Sequence, residues 1–213
     1  MTRIKFCGIT RLADAELAVS LDAWAIGLIL WPSSPRAVAP DVAAGIAAAV
    51  RRKVEVVGVF VNPSLDEVAA AADVIGLSIV QLHGQEGPAF CGEVARRTGC
   101  RVIKAARVRG RADIQALAPF HTDFHLLDSY RAGQPGGTGE TFAWDLVAGR
   151  RADVPLILSG GLNPENVADA IRTVHPYAVD VASGVEASPG VKDPERTREF
   201  ARAVADTVQS ATV

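Results

Sequence analysis

Short apolar runs recur down the whole chain, most of them near-continuous and bounded by Gly, Pro or Asn. They predict strands at RIKFC (3–7), WAIGLIL (24–30), VEVVGVFV (54–61), SIVQL (78–82), RVIKAA (101–106), FHLLD (124–128), VPLILS (154–159) and YAVDVA (177–182). Unbroken hydrophobicity, in place of strict alternation, is the mark of parallel strands covered on both faces. Between the runs lie stretches of helical periodicity: RLADAELAVSL, PDVAAGIAAAV, SLDEVAAAADV, QEGPAFCGEVARR, RADIQALAPF, TFAWDLVAG, PENVADAIRTV and DPERTREFARAVADTV. Start signals accompany several of them. Ser64 with Glu67 three residues on has capping-box spacing, and Asn163-Pro164 reads as an N-cap followed by N1.

Eight strand-like and eight helix-like segments therefore alternate, which implies right-handed βαβ crossovers and a parallel sheet. Eight units in 213 residues predict an α/β chain closed as one (β/α)8 barrel, a TIM barrel with a parallel eight-stranded sheet, spanning 1–213 as a single domain. The rival is an open doubly wound sheet, which usually has fewer strands and a GxGxxG fingerprint after the first. CGITR lacks that fingerprint.

Composition narrows the setting. A formal net charge of -2 gives no electrostatic footprint for nucleic acid, and the arginine pairs at 51–52, 96–97 and 150–151 read as solvated helix faces. Three cysteines at irregular spacing suggest neither a disulfide framework nor a zinc site. The start MTRIKFCGIT has no secretory pattern, and no apolar stretch approaches the roughly 18 residues a membrane span needs. The expectation is a soluble cytoplasmic protein without membrane contact. Four scattered histidines with no paired ligand spacing give no metal site.

In such a barrel, chemistry gathers at the carboxyl ends of the strands. That rule selects Cys7, Arg36, Gln81, His83, Asp128, the GGTG stretch (136–139), Ser159 to Asn163, and Asp180 to Gly184. SGGLN after strand seven and SGVE after strand eight carry glycines that permit close backbone approach, and a phosphate is often held after those two strands. Asp128 closes an apolar strand with RAGQPGGTGE ahead of the next helix, so it caps nothing and faces a long glycine-rich loop. Arg36 in PSSPR is either a surface arginine or a bidentate carboxylate clamp. Gln81 and His83 share parity, and so do Lys5 and Cys7. A Lys5 ammonium near Cys7 should bring a thiol with an ordinary pKa of about 8.5 closer to neutrality. Alone, a strand cysteine is more often packing; at a strand end opposite an acid it becomes a credible base. Cys91 and Cys100 read as structural.

KFCGITR, SPR, VGVFVN, VQLHG, LLDS, GGTGETFAW, LSGGLNPENV and VDVASGVE together resemble phosphoribosylanthranilate isomerase, in order and approximate spacing, over nearly the whole chain. The resemblance implies a cofactor-free Amadori rearrangement of N-(5-phosphoribosyl)anthranilate in tryptophan biosynthesis. It implies Cys7 as general base and Asp128 as general acid. The anthranilate carboxylate falls to Arg36, with Gln81 and Asp180 helping to orient the sugar, His83 also among the substrate-binding residues, and Gly160, Gly161, Ser183 and Gly184 about the phosphate. The only partner implied is this phosphorylated sugar–anthranilate, and the expectation is a monomer rather than a homodimer. Two positions depart from the family's usual pattern: Ala182, where serine is common, and Ser159, where alanine is common. Rival readings are the isomerase of histidine biosynthesis or a form serving both pathways, a catalytically silent sugar-phosphate sensor, and a thiol redox protein. Cys7 where an aspartate would stand and a single phosphate signature argue against the first, Cys7 together with Asp128 against the sensor, and the lack of a resolving cysteine near Cys7 against the redox protein.

Overall fold

Eight parallel strands close on themselves in sequence order, β1 (Arg3–Cys7), β2 (Ala25–Ile29), β3 (Glu55–Phe60), β4 (Ile79–Leu82), β5 (Arg101–Arg107), β6 (Phe124–Asp128), β7 (Leu156–Ser159) and β8 (Ala178–Val181). The last strand pairs with the first, Lys5 lying opposite Asp180 and Phe6 opposite Val181. This computed structural model describes residues 1–128, 144, 146–147, 150 and 153–209. Helices Leu12–Ser20, Pro40–Val50, Leu65–Ile75, Pro88–Thr98, Arg111–Gln115, Val167–Val174 and Pro194–Gln209 ring the sheet, and Trp144, Leu146 and Val147 are helical as well. A two-stranded hairpin, β9 (Glu186–Ser188) with β10 (Val191–Lys192), sits between β8 and the last helix. No helix among the described residues is long and apolar enough to cross a membrane.

Local sequence explains most boundaries. Ser64 Oγ accepts the Glu67 amide (3.3 Å) while the Glu67 carboxylate accepts the Ser64 amide (2.7 Å), closing the capping box read from the sequence. Prolines open Pro40–Val50 and Pro88–Thr98, where a missing N–H is no loss. Two boundaries differ from expectation. Asn163 accepts the Asn166 amide and Asn166 the Asn163 amide on their side-chain oxygens (2.9 Å both ways), the reciprocal pattern seen at Ser64 and Glu67, but 164–166 hold a turn and the regular helix begins only at Val167. The fifth helix stops at Gln115, because ahead of Pro119 the chain tightens into i→i−3 bonds such as Ala118 N–H to Gln115 C=O (3.0 Å).

Two apolar layers result. Phe6, Ile26, Leu82, Val179 and Phe200 belong to the layer between sheet and helices. Ala25, Val57, Ile79, Ile103, Leu126, Ile157 and Ala178 fill the barrel itself. Its floor is stoppered by Trp24, Phe124 and Tyr177, ring centroids 5.3–5.5 Å apart, with the Arg3 guanidinium 4.3 Å over Tyr177. Among the described residues, the buried polar side chains of the barrel interior, Lys5, Gln81 and Asp180, lie above this floor, toward the carboxyl ends of the strands.

Candidate active site

β1 brings Lys5 and Cys7 to the barrel interior, as their shared parity requires. Lys5 is wholly buried and its Nζ lies 2.8 Å from Asp180 Oδ1, while Ser159 Oγ donates to Asp180 Oδ2 (3.1 Å). Burial opposes the charge on Lys5, yet Asp180 and Cys7 outweigh it and hold the ammonium above its ordinary pKa. Cys7 is 6% exposed. Its space comes from β2, where a Cβ on Gly27 would stand 2.7 Å from Cys7 Sγ and 3.1 Å from Lys5 Nζ. The expected drift of the thiol toward neutrality is corrected. Burial pushes the Cys7 pKa up, with Asp180 adding to it, and the pull of Lys5 and Lys192 does not compensate.

Asp128 ends β6, one-fifth exposed, with its Oδ2 3.7 Å from His83 Nε2. Gln81 Nε2 lies 3.2 Å from His83 Nδ1. Since an amide nitrogen only donates, Nδ1 accepts and the imidazole proton is assigned to Nε2, facing Asp128. Gln81 Oε1 is buried and has no partner among the described residues, which leaves an acceptor waiting inside the barrel. The loop behind His83 is fixed by Glu86, whose carboxylate collects the amides of Asn62 (2.8 Å) and Gly84 (2.9 Å) and the buried Lys104 ammonium (2.6 Å). Glycine is required at 84, where a Cβ would fall 2.3 Å from Asn62 Oδ1.

Arg36 does not stand free at the surface. Its Nε and Nη2 donate to the Glu186 carboxylate at 2.8–3.0 Å. Glu186 in turn meets Lys192 Nζ (3.1 Å), which also donates to the carbonyls of Cys7 (2.6 Å) and Ala182 (3.0 Å). Glu186 and Lys192 were not selected from the sequence as site residues. Their only sequence signal is the pair of charges bracketing ASPGV in a loop after the last strand.

After β7, Gly160 and Gly161 adopt φ of 94° and 67°, conformations that L side chains resist. After β8, Ser183–Val185 form a 3-10 turn, and a Cβ on Gly184 would fall 1.9 Å from Leu162 O. The two loops are thus in backbone contact, and a side chain at 184 would separate them. The GGTG stretch at 136–139 lies outside the described residues. Asp180, expected near the sugar, is committed to Lys5 and Ser159, although its oxygens retain lone pairs for a further donor. Cys91 and Cys100 are buried among apolar neighbours, and burial raises both thiol pKa values. No cluster able to hold a metal ion occurs among the described residues.

A closed (β/α)8 barrel with its floor stoppered and its polar interior at the strand carboxyl ends is that of a TIM-barrel enzyme. Residues 4–203 match the family model described as N-(5'phosphoribosyl)anthranilate (PRA) isomerase, and the chain belongs to that family. An N-(5'-phosphoribosyl)anthranilate isomerase of Citrifermentans bemidjiense is 50% identical over 200 residues, 94% of this chain and 95% of that one. Among solved structures, the phosphoribosyl anthranilate isomerase of Thermotoga maritima is 41% identical with a TM-score of 0.89, over 97% of this chain and 100% of that chain. A second, 38% identical with a TM-score of 0.85 over the same shares, was solved in complex with reduced 1-(o-carboxyphenylamino)-1-deoxyribulose 5-phosphate.

Proposed function

We propose that this barrel isomerises N-(5-phosphoribosyl)anthranilate to 1-(2-carboxyphenylamino)-1-deoxyribulose 5-phosphate, a step of tryptophan biosynthesis, with Asp128 as general acid and Cys7 as general base. The observation that carries the reading is the placement of Cys7 and Asp128 at the carboxyl ends of β1 and β6, both at the open end of one stoppered barrel. Asp128 delivers a proton to the furanose ring oxygen as the bond from that oxygen to C1 breaks. The anilino nitrogen lone pair closes the Schiff base. The Cys7 thiolate then removes the C2 proton, and the electron pair left behind gives an enolamine that tautomerises to the aminoketone. Proton transfer of this kind contributes about 10²–10⁴-fold for each participating group. Gln81 Oε1 accepts from a sugar hydroxyl or the anilino N–H, and the glycine loops after β7 and β8 take the phosphate on backbone amides. Freshly made phosphoribosylanthranilate supplied to the protein tests the reading directly. Its anthranilate-type fluorescence should be lost in proportion to enzyme, and a signal decaying at the uncatalysed rate would refute it.

Two binding assignments carry their own outcomes. Arg36→Ala removes a clamp that itself transfers no proton, so KM should rise more than kcat falls. Steady-state kinetics check this, and a collapsed kcat beside an unchanged KM would move Arg36 into the chemistry. Inorganic phosphate or a reduced product analogue should raise the melting temperature by mass action. Gly184→Val should abolish that shift, because its side chain has no room against Leu162 O.

A further inference from the structure

The hairpin β9–β10 is tied into the mouth of the barrel by buried charges that the mechanism above leaves without a task. Glu186 and Lys192 side chains are 4% and 1% exposed, yet they carry opposite charges, and Lys192 reaches the loop after β8 at the Ala182 carbonyl (3.0 Å). Burying such groups is costly unless each is fully paired. Here each is paired toward a working residue. All three Lys192 protons are used, on Cys7 O, Ala182 O and Glu186 Oε1. Glu186 accepts from Lys192, from the Gly190 amide (3.3 Å) and from one edge of the Arg36 fork.

The geometry of that fork matters. A guanidinium presents two donor edges, and Glu186 occupies the one formed by Nε and Nη2. The edge formed by Nη1 and Nη2 remains for a second carboxylate, aimed by the first. The stem is fixed as well. Gly8 has a φ of 76°, and a Cβ there would lie 2.8 Å from Arg36 Cδ, so Arg36 rests directly on the peptide that follows Cys7. Two cations and one anion leave the cluster with a net positive charge, which suits an anionic ring substituent. Without Glu186, Lys192 and Arg36 would face each other unscreened.

We propose that Glu186 and Lys192 are positioning residues of one clasp, Glu186 aiming Arg36 at the anthranilate carboxylate and Lys192 anchoring the Cys7 peptide from which the base projects. This rests on the roles given above to Arg36 and Cys7. It divides the clasp by function: disturbing the Glu186 end alters recognition of the carboxylate, and disturbing the Lys192 end alters proton abstraction. A purely structural pair would instead lower stability and scale all kinetic constants together.

The test compares wild type, Arg36→Ala, Glu186→Gln and Lys192→Met for KM, kcat and inhibition by a reduced product analogue with and without its ring carboxylate. Glu186→Gln should raise KM about ten- to hundredfold with kcat changed only a fewfold, the scale expected when a positioned group is misplaced. Its preference for the carboxylated inhibitor should fall toward that of Arg36→Ala. Lys192→Met should lower kcat about tenfold or more while the carboxylate preference stays near wild type. If Lys192→Met does not fold, Glu186→Gln alone decides. A Glu186→Gln enzyme with wild-type or lowered KM and full carboxylate preference, beside an Arg36→Ala enzyme that has lost both, overturns the clasp and leaves the Arg36 assignment standing. If Arg36→Ala keeps wild-type KM and preference, the Arg36 assignment falls and the clasp falls with it.

Discussion

Cys7→Ala should lower kcat by about two to four orders of magnitude while the protein still folds and still binds a reduced product analogue. Alanine keeps the buried methylene and removes the one group at that strand end able to take a proton from C2. Cys7→Ser should be nearly as poor, since a hydroxyl fills the same space and is far less acidic than a thiol. If Cys7 were only packing, the order would reverse, with activity retained and the melting temperature lowered. The pH dependence sharpens the test. Burial holds the thiol above its ordinary pKa, so the thiolate forms at higher pH than that of an ordinary cysteine. The acidic limb of kcat/KM should therefore rise into alkaline pH and vanish in Cys7→Ala. Stability should run the opposite way. The folded state holds this proton more tightly than the unfolded state, so the thiol's contribution is intact below the unfolded pKa and is lost as pH rises through the folded one. Melting curves of wild type and Cys7→Ala at neutral and alkaline pH should diverge by that loss.

Asp128→Asn should produce a kcat defect of similar size, about two to four orders of magnitude, with affinity for the reduced product analogue retained. An amide has the shape of the acid and can still meet His83 Nε2, but it has no proton to deliver to a ring oxygen. The residual rate identifies which step is lost. A substrate supplied already ring-opened bypasses the acid, so Asp128→Asn should turn it over near the wild-type rate while Cys7→Ala does not. Equal defects of both variants on the opened substrate would remove Asp128 from ring opening.

The barrel was legible because each strand is covered on both faces and so reads as an uninterrupted apolar run. The placement of Lys5 beside Cys7, and of Gln81 beside His83, followed from a period of two. What stayed hidden depends on contacts distant in sequence or on the balance of opposed effects. Glu186 and Lys192 look like loop charges until Arg36, 150 residues from Glu186, and Cys7, 185 residues from Lys192, are brought against them. The sign of the Cys7 shift could not be read from a neighbouring lysine, because burial is set by the whole fold and here outweighs it. Asn163 does accept the Asn166 amide as an N-cap would, and what the sequence missed is that 164–166 hold a turn before the regular helix starts at Val167. Ser159, off the family's usual pattern, addresses Asp180 and through it Lys5.

Closing the barrel joins β1 to β8, with Lys5 bonded to an aspartate 175 residues further on. On a ribosome, β1 emerges and waits while the 175 residues up to Asp180 are made. Until β8 appears, Lys5 has no carboxylate to offset its burial. Until the hairpin follows, the Cys7 carbonyl has no Lys192 and the Arg36 fork has no Glu186. Such long-range pairings carry the loop-closure entropy of the whole chain and form late. A nascent chain halted before Lys192 would thus hold most of its sheet and none of its finished clasp, so the appearance of activity during synthesis times a late event of folding rather than an early one.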